Sequence, residues 1–450
     1  MNSMRTDIAR QVRERDIRLV RFLFCDLSSV IRAKAVHVRG LEERRHSGVA
    51  VGKAALARTI LDTITPIPGL GQVGEVRLVP DQETFVDLPY VARAGSMCAD
   101  FVTPDFEPWA FCPRSFLKRM LARLNARGLR IQASFEGTFT LVRQDGDVFA
   151  PVDQAGCFAT ASMNVAAPVI NSLIDALEAQ HLTVEQYSAE AGNGQHQVAI
   201  RHSEGVAAAD NQVVFRETVR GVAAAHGYVA SFAPKTFIDQ PGNACHLHFS
   251  LTGSDGRASR FYDSQAPYQL TDTARTFLAG VVEHLPGLAA LACPSVNSYR
   301  RLQTDLGGTM VPSWGPDSRQ AAVRVVSPYL GEEPITMHAE LRISDHAANP
   351  YLLLGGLIAA GLDGLARERL LPPPLLDDPI AIVSPVSPGE PDVLPQTMLE
   401  ALEALAGDET LEEALGHELL TAFQGIKTQE CHQFADHDVA FELNAYTTRL

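Results

Sequence analysis

Several features are missing from this sequence, and each absence removes a class of function. No apolar run reaches the roughly 20 residues needed to cross a bilayer. The most apolar long stretch, Tyr351 to Leu365, holds four glycines and Asp363 and runs into Arg367, Glu368 and Arg369. It reads as a buried helix, and no membrane association is expected. The opening MNSMRTDIARQVRERD is polar and has no apolar centre of a secretion signal. Seven cysteines, an odd number with no CxxC spacing, argue against a disulfide framework or a zinc knuckle. Positive charge is in short supply: 38 Lys and Arg stand against 53 Asp and Glu, a net charge of -15. A general nucleic-acid surface, which neutralises phosphates with concentrated Lys and Arg, is therefore not expected. There is no internal repeat, P-loop or kinase signature. The 450 residues are ample for more than one domain. A cytoplasmic, enzyme-sized protein with reduced thiols fits this profile.

The pattern along the chain is α+β. Residues 18 to 39 read as two strands, IRLVRFLF and VIRAKAVHV, joined by the turn-forming DLSS. Gly69-Leu-Gly71-Gln-Val-Gly74 formally matches GxGxxG, but a short strand follows where a dinucleotide site needs a helix, so a loop is expected. Pro113 opens a helix that closes at Gly128, and a domain boundary is placed near residue 105. Strands are expected at LRIQASFEGTFTLV, TVEQYSAE, GQHQVAI, YVASFAPK, NACHLHFSL, AAVRVVS and HAELRIS. Helices are expected at APVINSLIDALEAQH, TARTFLAGVVEHLPGLAAL, the Tyr351 stretch, MLEALEAL and TLEEALGHELLTAFQGI, with a Pro-rich surface loop over 371–395.

Three strands gather chemistry on one face. Alternation places Glu136, Thr138 and Thr140 together in SFEGTFTL, His246, His248 and Ser250 in ACHLHFS, and Glu340 and Arg342 in AELRIS. A lone His or Glu on a strand is more often a satisfied core or surface residue than a ligand. Three such faces in otherwise apolar strands are different, because buried ionised groups must be paired or bind a metal. Two carboxylates and an imidazole, Glu136, His246 and Glu340, suit Mg²⁺ or Mn²⁺ better than structural zinc. Arg300, Arg301, Arg319, Arg324 and Arg342 are interleaved with these strands and suggest clamps for carboxylate and phosphoryl oxygens.

Taken in order, GNACHLHFSL, NSYRRL, PDSRQAAVRV, HAELRISDHAANPYL, AEAGNGQHQ and LFCDLSSVIRAKAV resemble the successive motifs of the glutamine synthetase family. The resemblance covers nearly the whole chain. It implies an N-terminal β-grasp domain (1–105) and a catalytic domain (106–450) with a curved antiparallel sheet flanked by helices. It also implies a dodecamer of two stacked hexameric rings, with each active site between subunits. The implied activity is an ATP-dependent carboxylate–amine ligase acting on an amino acid and an amine by way of a γ-glutamyl phosphate. Carried over by position, Glu136, His246 and Glu340 hold Mg²⁺ or Mn²⁺, and His248, Ser250 and Arg324 contact ATP. Arg319 stabilises the transferring phosphoryl group, and Gly242, Arg301 and Arg342 hold the amino acid. Glu190 and a neighbouring subunit's Asp26 deprotonate the amine.

The sequence also departs from that pattern. Where the family has glutamates of a second metal site, Thr138 and Gln197 stand, leaving Glu190 alone. A hard cation depends on carboxylate oxygens, so weak or no binding is expected there. The flap glutamate of ammonia-using members falls in Leu306-Gly307-Gly308, and the tyrosine of the ammonium pocket becomes Cys157 or Phe158. His338 stands for an arginine, and Ser318 for the asparagine before Arg319. These changes predict an acceptor other than ammonia; the alternative is a repurposed, non-catalytic binding or regulatory protein.

Overall fold

The computed structural model describes residues 8–146, 148–305, 311–376 and 393–450. The expected hairpin forms β1 (Leu19–Cys25) and β2 (Ile31–His37). The Asp26 carboxylate closes the turn between them, accepting from the N–H groups of Ser28 and Val30 at 2.9 Å each. Four more strands follow: β3 (Val49–Gly52), β4 (Glu75–Pro80), β5 (Val86–Asp87) and β6 (Ala94–Val102). The sheet order is β2-β1-β6-β4-β3, with β5 on β6, and β6 runs parallel to β1. This is the β-grasp-like arrangement. The Gly69–Gly74 segment is a loop leading into strand β4, as its context predicts.

The larger sheet is built on β7 (Leu129–Asp145), a 17-residue strand. The remaining strands are β8 (Val148–Pro151), β9 (Val184–Ala189), β10 (Gln195–Ile200), β11 (Ser203–Glu204), β12 (Val229–Ser231), β13 (Cys245–Gly253), β14 (Trp314–Pro316), β15 (Val323–Val326) and β16 (His338–Leu341). Its order is β14-β15-β16-β13-β7-β10-β9, with β8, β11 and β12 also pairing with β7. Pairing is antiparallel except at one edge, where β14 and β15 run parallel. The one-face alternation is strict on β13: Cys245, Leu247, Phe249 and Leu251 are buried, while His246, His248, Ser250 and Thr252 are half-buried. At the centre of β7, Gly137 has no side chain because one would meet the His346 ring; an added Cβ would lie 2.2 Å from its Nε2.

Helices cover the back of this sheet, and one core runs unbroken from Phe22 and Phe24 of β1 through Phe116 and Leu247 to Leu357. The helix Pro113–Ala126 starts on its proline, and Gly128 follows its end in the left-handed conformation. Tyr351 lies in the helix Pro350–Arg367, capped by Asn349, whose Oδ1 accepts from the N–H groups of Tyr351 and Leu352. This helix crosses Asp272–Glu283 at backbone contact, since a Cβ on Gly280 would stand 2.2 Å from the Ala360 carbonyl. Among the described residues no helix is long and apolar enough to cross a membrane. All seven cysteines are free, and only Cys157 is exposed.

Four expected elements differ. The helix read from residue 167 begins at Thr160 and carries Pro168 inside it. TARTFLAGVVEHLPGLAAL is two helices, Asp272–Glu283 and Leu285–Ala292, because Pro286 starts a new first turn. TLEEALGHELLTAFQGI divides likewise at Gly416, with φ +80°, into Glu409–Leu415 and His417–Ala435. YVASFAPK keeps only three strand residues. The helix Val206–Ala225 answers to no expectation from the sequence.

Candidate active site

Strand register assembles the predicted cluster. His246 of β13 lies opposite Glu136 of β7, while His248 lies opposite Glu340 of β16, which in turn faces Arg324 of β15. Glu136, His246 and Glu340 each present a ligand atom, and these atoms lie within 4.8 Å of one another. Two carboxylates and one imidazole at this spacing fit a hard divalent cation.

Glu340 is the hub. It is 1% exposed, and its Oε1 sits 2.6 Å from His246 Nδ1 and 2.6 Å from Arg342 Nη1. Its Oε2 accepts from Arg324 Nη1 at 3.2 Å. Burial pushes its pKa up, but His246, Arg342 and His248 hold it far below the ordinary carboxylate range. Burial lowers the pKa of His246 despite the Glu340 charge. Glu136 is likewise held below the usual range: burial raises it, but the His248 contact, 3.2 Å to its Oε2, outweighs that.

A relay of rings fixes His248. His338 Nδ1 donates to the Thr336 carbonyl at 2.6 Å, so its Nε2 accepts from His248 Nδ1 at 2.9 Å. His248 Nε2 is thereby turned toward Glu136. Burial and the neighbouring His248 depress the His338 pKa to about 4, leaving that ring a neutral acceptor where the family pattern has an arginine.

The other predicted residues fall in several places. Ser250 is half-buried two positions beyond His248 on the same face. Arg319 is exposed in the β14–β15 connection, its carbonyl accepts from Arg342 Nε, and its charge acts on Glu190. Glu190 follows β9. Burial raises its pKa, the Ser188 hydroxyl donating at 2.7 Å opposes that, and the Glu136 charge adds to the rise. The Gly242 carbonyl accepts from Gln195 Nε2 at 2.8 Å. Arg301, from the helix Val296–Asp305, is 2% exposed, donates to the carbonyls of Ile343 and Ser344, and lies 3.6 Å from Asp345. Asp26 is fully buried within its own chain; Oδ1 is taken by the hairpin turn and Oδ2 by Arg32 Nε at 2.6 Å. Burial raises its pKa in spite of Arg32.

The positions read as a second site from the sequence adjoin one another on neighbouring strands. Gln197 of β10 pairs directly with Thr138 of β7, and Thr138 Oγ1 accepts from the Ala244 N–H at 3.0 Å. The Phe158 N–H donates to the Ala189 carbonyl, which brings the exposed Cys157 and Phe158 alongside Glu190. Leu306, Gly307 and Gly308 lie outside the described residues. Two residues escaped the sequence reading: Asp317, 3.5 Å from Arg324, and Thr336, whose carbonyl sets the His338 tautomer. Asp317 stands inside the quoted PDSRQ and was detectable as an acid among arginines; Thr336 acts through its backbone and leaves no side-chain signal.

The family models described as the glutamine synthetase N-terminal domain and catalytic domain match residues 1–109 and 110–446. The chain belongs to the glutamine synthetase family. Its members are ATP-dependent carbon–nitrogen ligases that use a divalent metal. The chain is 32% identical over 461 residues to the glutamine synthetase of Mycobacterium tuberculosis, covering 99% of both chains. It is 34% identical over 417 residues to the gamma-glutamylpolyamine synthetase GlnA3 of Streptomyces coelicolor, covering 90% of this chain and 88% of that protein. A solved GmaS/ADP complex superposes with a TM-score of 0.84 at 29% identity, covering 97% of this chain and 98% of that one.

Proposed function

We propose that this family member joins the γ-carboxylate of glutamate to an amine other than ammonia, through a γ-glutamyl phosphate formed at the expense of ATP. The observation that carries this reading is the asymmetry of the site. One set of ligands, Glu136, His246 and Glu340, is complete and fastened by Arg324 and Arg342, whereas the adjoining acidic set is reduced to Glu190 beside Thr138 and Gln197.

A divalent cation held by Glu136, His246 and Glu340 would offset the charge of the ATP phosphates. His248, Ser250 and Arg324 hold the nucleotide, and Arg319, exposed at the cluster's edge, meets the transferring phosphoryl oxygens. Gly242 and Arg342 border the amino acid, with Arg301, tied to the carbonyls at the end of β16, as their support. Glu190 takes the amine's proton; its raised pKa suits a base better than that of an ordinary surface glutamate. Asp26 of a neighbouring copy serves as the second base in a dodecamer of two six-membered rings, provided the assembly draws its carboxylate from Arg32. Ammonium capture needs a tight, negatively charged cage. Two lost carboxylates and the open Cys157–Phe158 rim favour an amine with a carbon substituent.

The test is ADP release by the full chain with ATP, Mn²⁺ and glutamate over ammonia and a panel of primary alkyl amines and diamines. At least one amine should stimulate turnover above ammonia. If ATP and Mn²⁺ bind but no amine stimulates, the hydroxyl of Thr138 and the amide of Gln197, standing where the family pattern has carboxylates, mark a non-catalytic binding protein instead.

A further inference from the structure

A second group of charges lies at the contact of the two domains, formed by residues to which the ligase reading gives no role. A cleft of about 360 Å³ opens between β1, the segment before β6 and the helix Val206–Ala225. Arg21 of β1 reaches it from one side, Glu217 and Arg220 of the helix from the other, and Tyr90 and Val91 supply an apolar wall with Ala224. Among the described residues neither the Arg21 guanidinium nor the Glu217 carboxylate makes a hydrogen bond or an ion pair. Arg220 is only partly committed, donating to the carbonyls of Arg449 and Thr448 at 3.3 and 3.1 Å.

The charge balance is uneven. Burial raises the pKa of Glu217, and three guanidiniums, Arg220, Arg216 and Arg21, act against that rise without cancelling it. Arg216 is 1% exposed and bonds only the Ser29 carbonyl, at 3.0 Å, leaving its Nε and Nη1 without partners among the described residues. Buried or half-buried charges without counterparts are costly, so an arrangement with surplus cations beside one anion suits a ligand that returns both signs. Its volume falls in the range of small-molecule sites.

We propose that this cleft binds a free α-amino acid with an apolar side chain, its carboxylate on Arg21 and Arg220, its ammonium on Glu217, and its side chain against Tyr90 and Val91. The site is separate from the Glu136–His246–Glu340 cluster and does not depend on the ligase reading.

The experiment is calorimetric titration of the full chain, without ATP or metal, using L-leucine, L-methionine and L-phenylalanine. The amino acid that binds is then compared with its des-amino acid and its amide. Each analogue lacks one charge and should bind at least about tenfold more weakly, as should the amino acid itself to Arg21→Gln. Ala224→Phe, which fills the exposed wall without touching a charge, should abolish binding while leaving basal turnover unchanged. Absence of binding by all three amino acids overturns the proposal. So does binding undiminished in both Arg21→Gln and Ala224→Phe, which would place the amino acid elsewhere.

Discussion

At the scale of single residues, a buried carboxylate is ionised only if its surroundings supply compensation, and Glu340 receives it from an imidazole and two guanidiniums. Thr138 and Gln197 mark the opposite case, where side chains paired across β7 and β10 bring oxygens but no charge. Restoring that charge should restore a cation. The double substitution Thr138→Glu with Gln197→Glu is expected to raise Mn²⁺ stoichiometry from one to two per chain by calorimetry, with affinity at the first site within about tenfold of wild type. A stoichiometry of two in the unaltered protein would contradict the account. The trio was legible in the sequence because strand alternation is a strong constraint: a residue's face follows from its parity. Arg301 shows the limit, since an arginine in a motif gives no sign that its guanidinium is buried against Ile343 and Ser344.

At the scale of elements, four helices meet at His284. Its Nδ1 lies 2.7 Å from Asp408 and its Nε2 3.1 Å from Asp363, tying Asp272–Glu283 and Leu285–Ala292 to Pro350–Arg367 and Glu409–Leu415. Burial lowers its pKa, but the two aspartates prevail and the net shift is upward. A raised folded-state pKa stabilises the protein fully below the unfolded value of about 6.5, and that contribution fades as pH rises through the folded value. His284→Asn should therefore cost about 3 kcal/mol near pH 6 and less near pH 9, read from denaturant unfolding at the two pH values. A cost independent of pH would sink this reading. The same region shows why helix boundaries were less legible than strands. Pro286 and Gly416 interrupt patterns whose apolar spacing continues across the break. The helix Val206–Ala225 went unread because it is buried on most sides and shows no single apolar stripe.

At the scale of the whole molecule, one buried cation gathers carboxylates from both domains. Arg114, 2% exposed at the start of Pro113–Ala126, bonds Asp210 with Nε and Nη2, Asp100 with Nη1 and Asp81 with Nη2. Those partners lie 96, 14 and 33 residues away, a set that no local pattern could assemble. Arg114→Met leaves three carboxylates with reduced compensation and should destabilise the protein by about 3–5 kcal/mol. In calorimetry the loss should appear as an earlier transition of the N-terminal sheet, separate from that of the catalytic sheet. A single transition at the wild-type temperature would show that the shared apolar core alone couples the domains. The site depends on the same whole-molecule order, since β7, β13, β15 and β16 come from segments spread over some 200 residues and only their register brings Glu136, His246 and Glu340 together.

The most direct measurement of the central claim follows oxygen, not turnover. Glutamate carrying ¹⁸O in its γ-carboxylate is incubated with the full chain, ATP, Mn²⁺ and the most stimulating amine, and the phosphate is analysed by mass spectrometry. A γ-glutamyl phosphate intermediate requires one labelled oxygen in inorganic phosphate for each amide formed. Amide formation with unlabelled phosphate, or ATP consumption with neither amide nor label transfer, would contradict it.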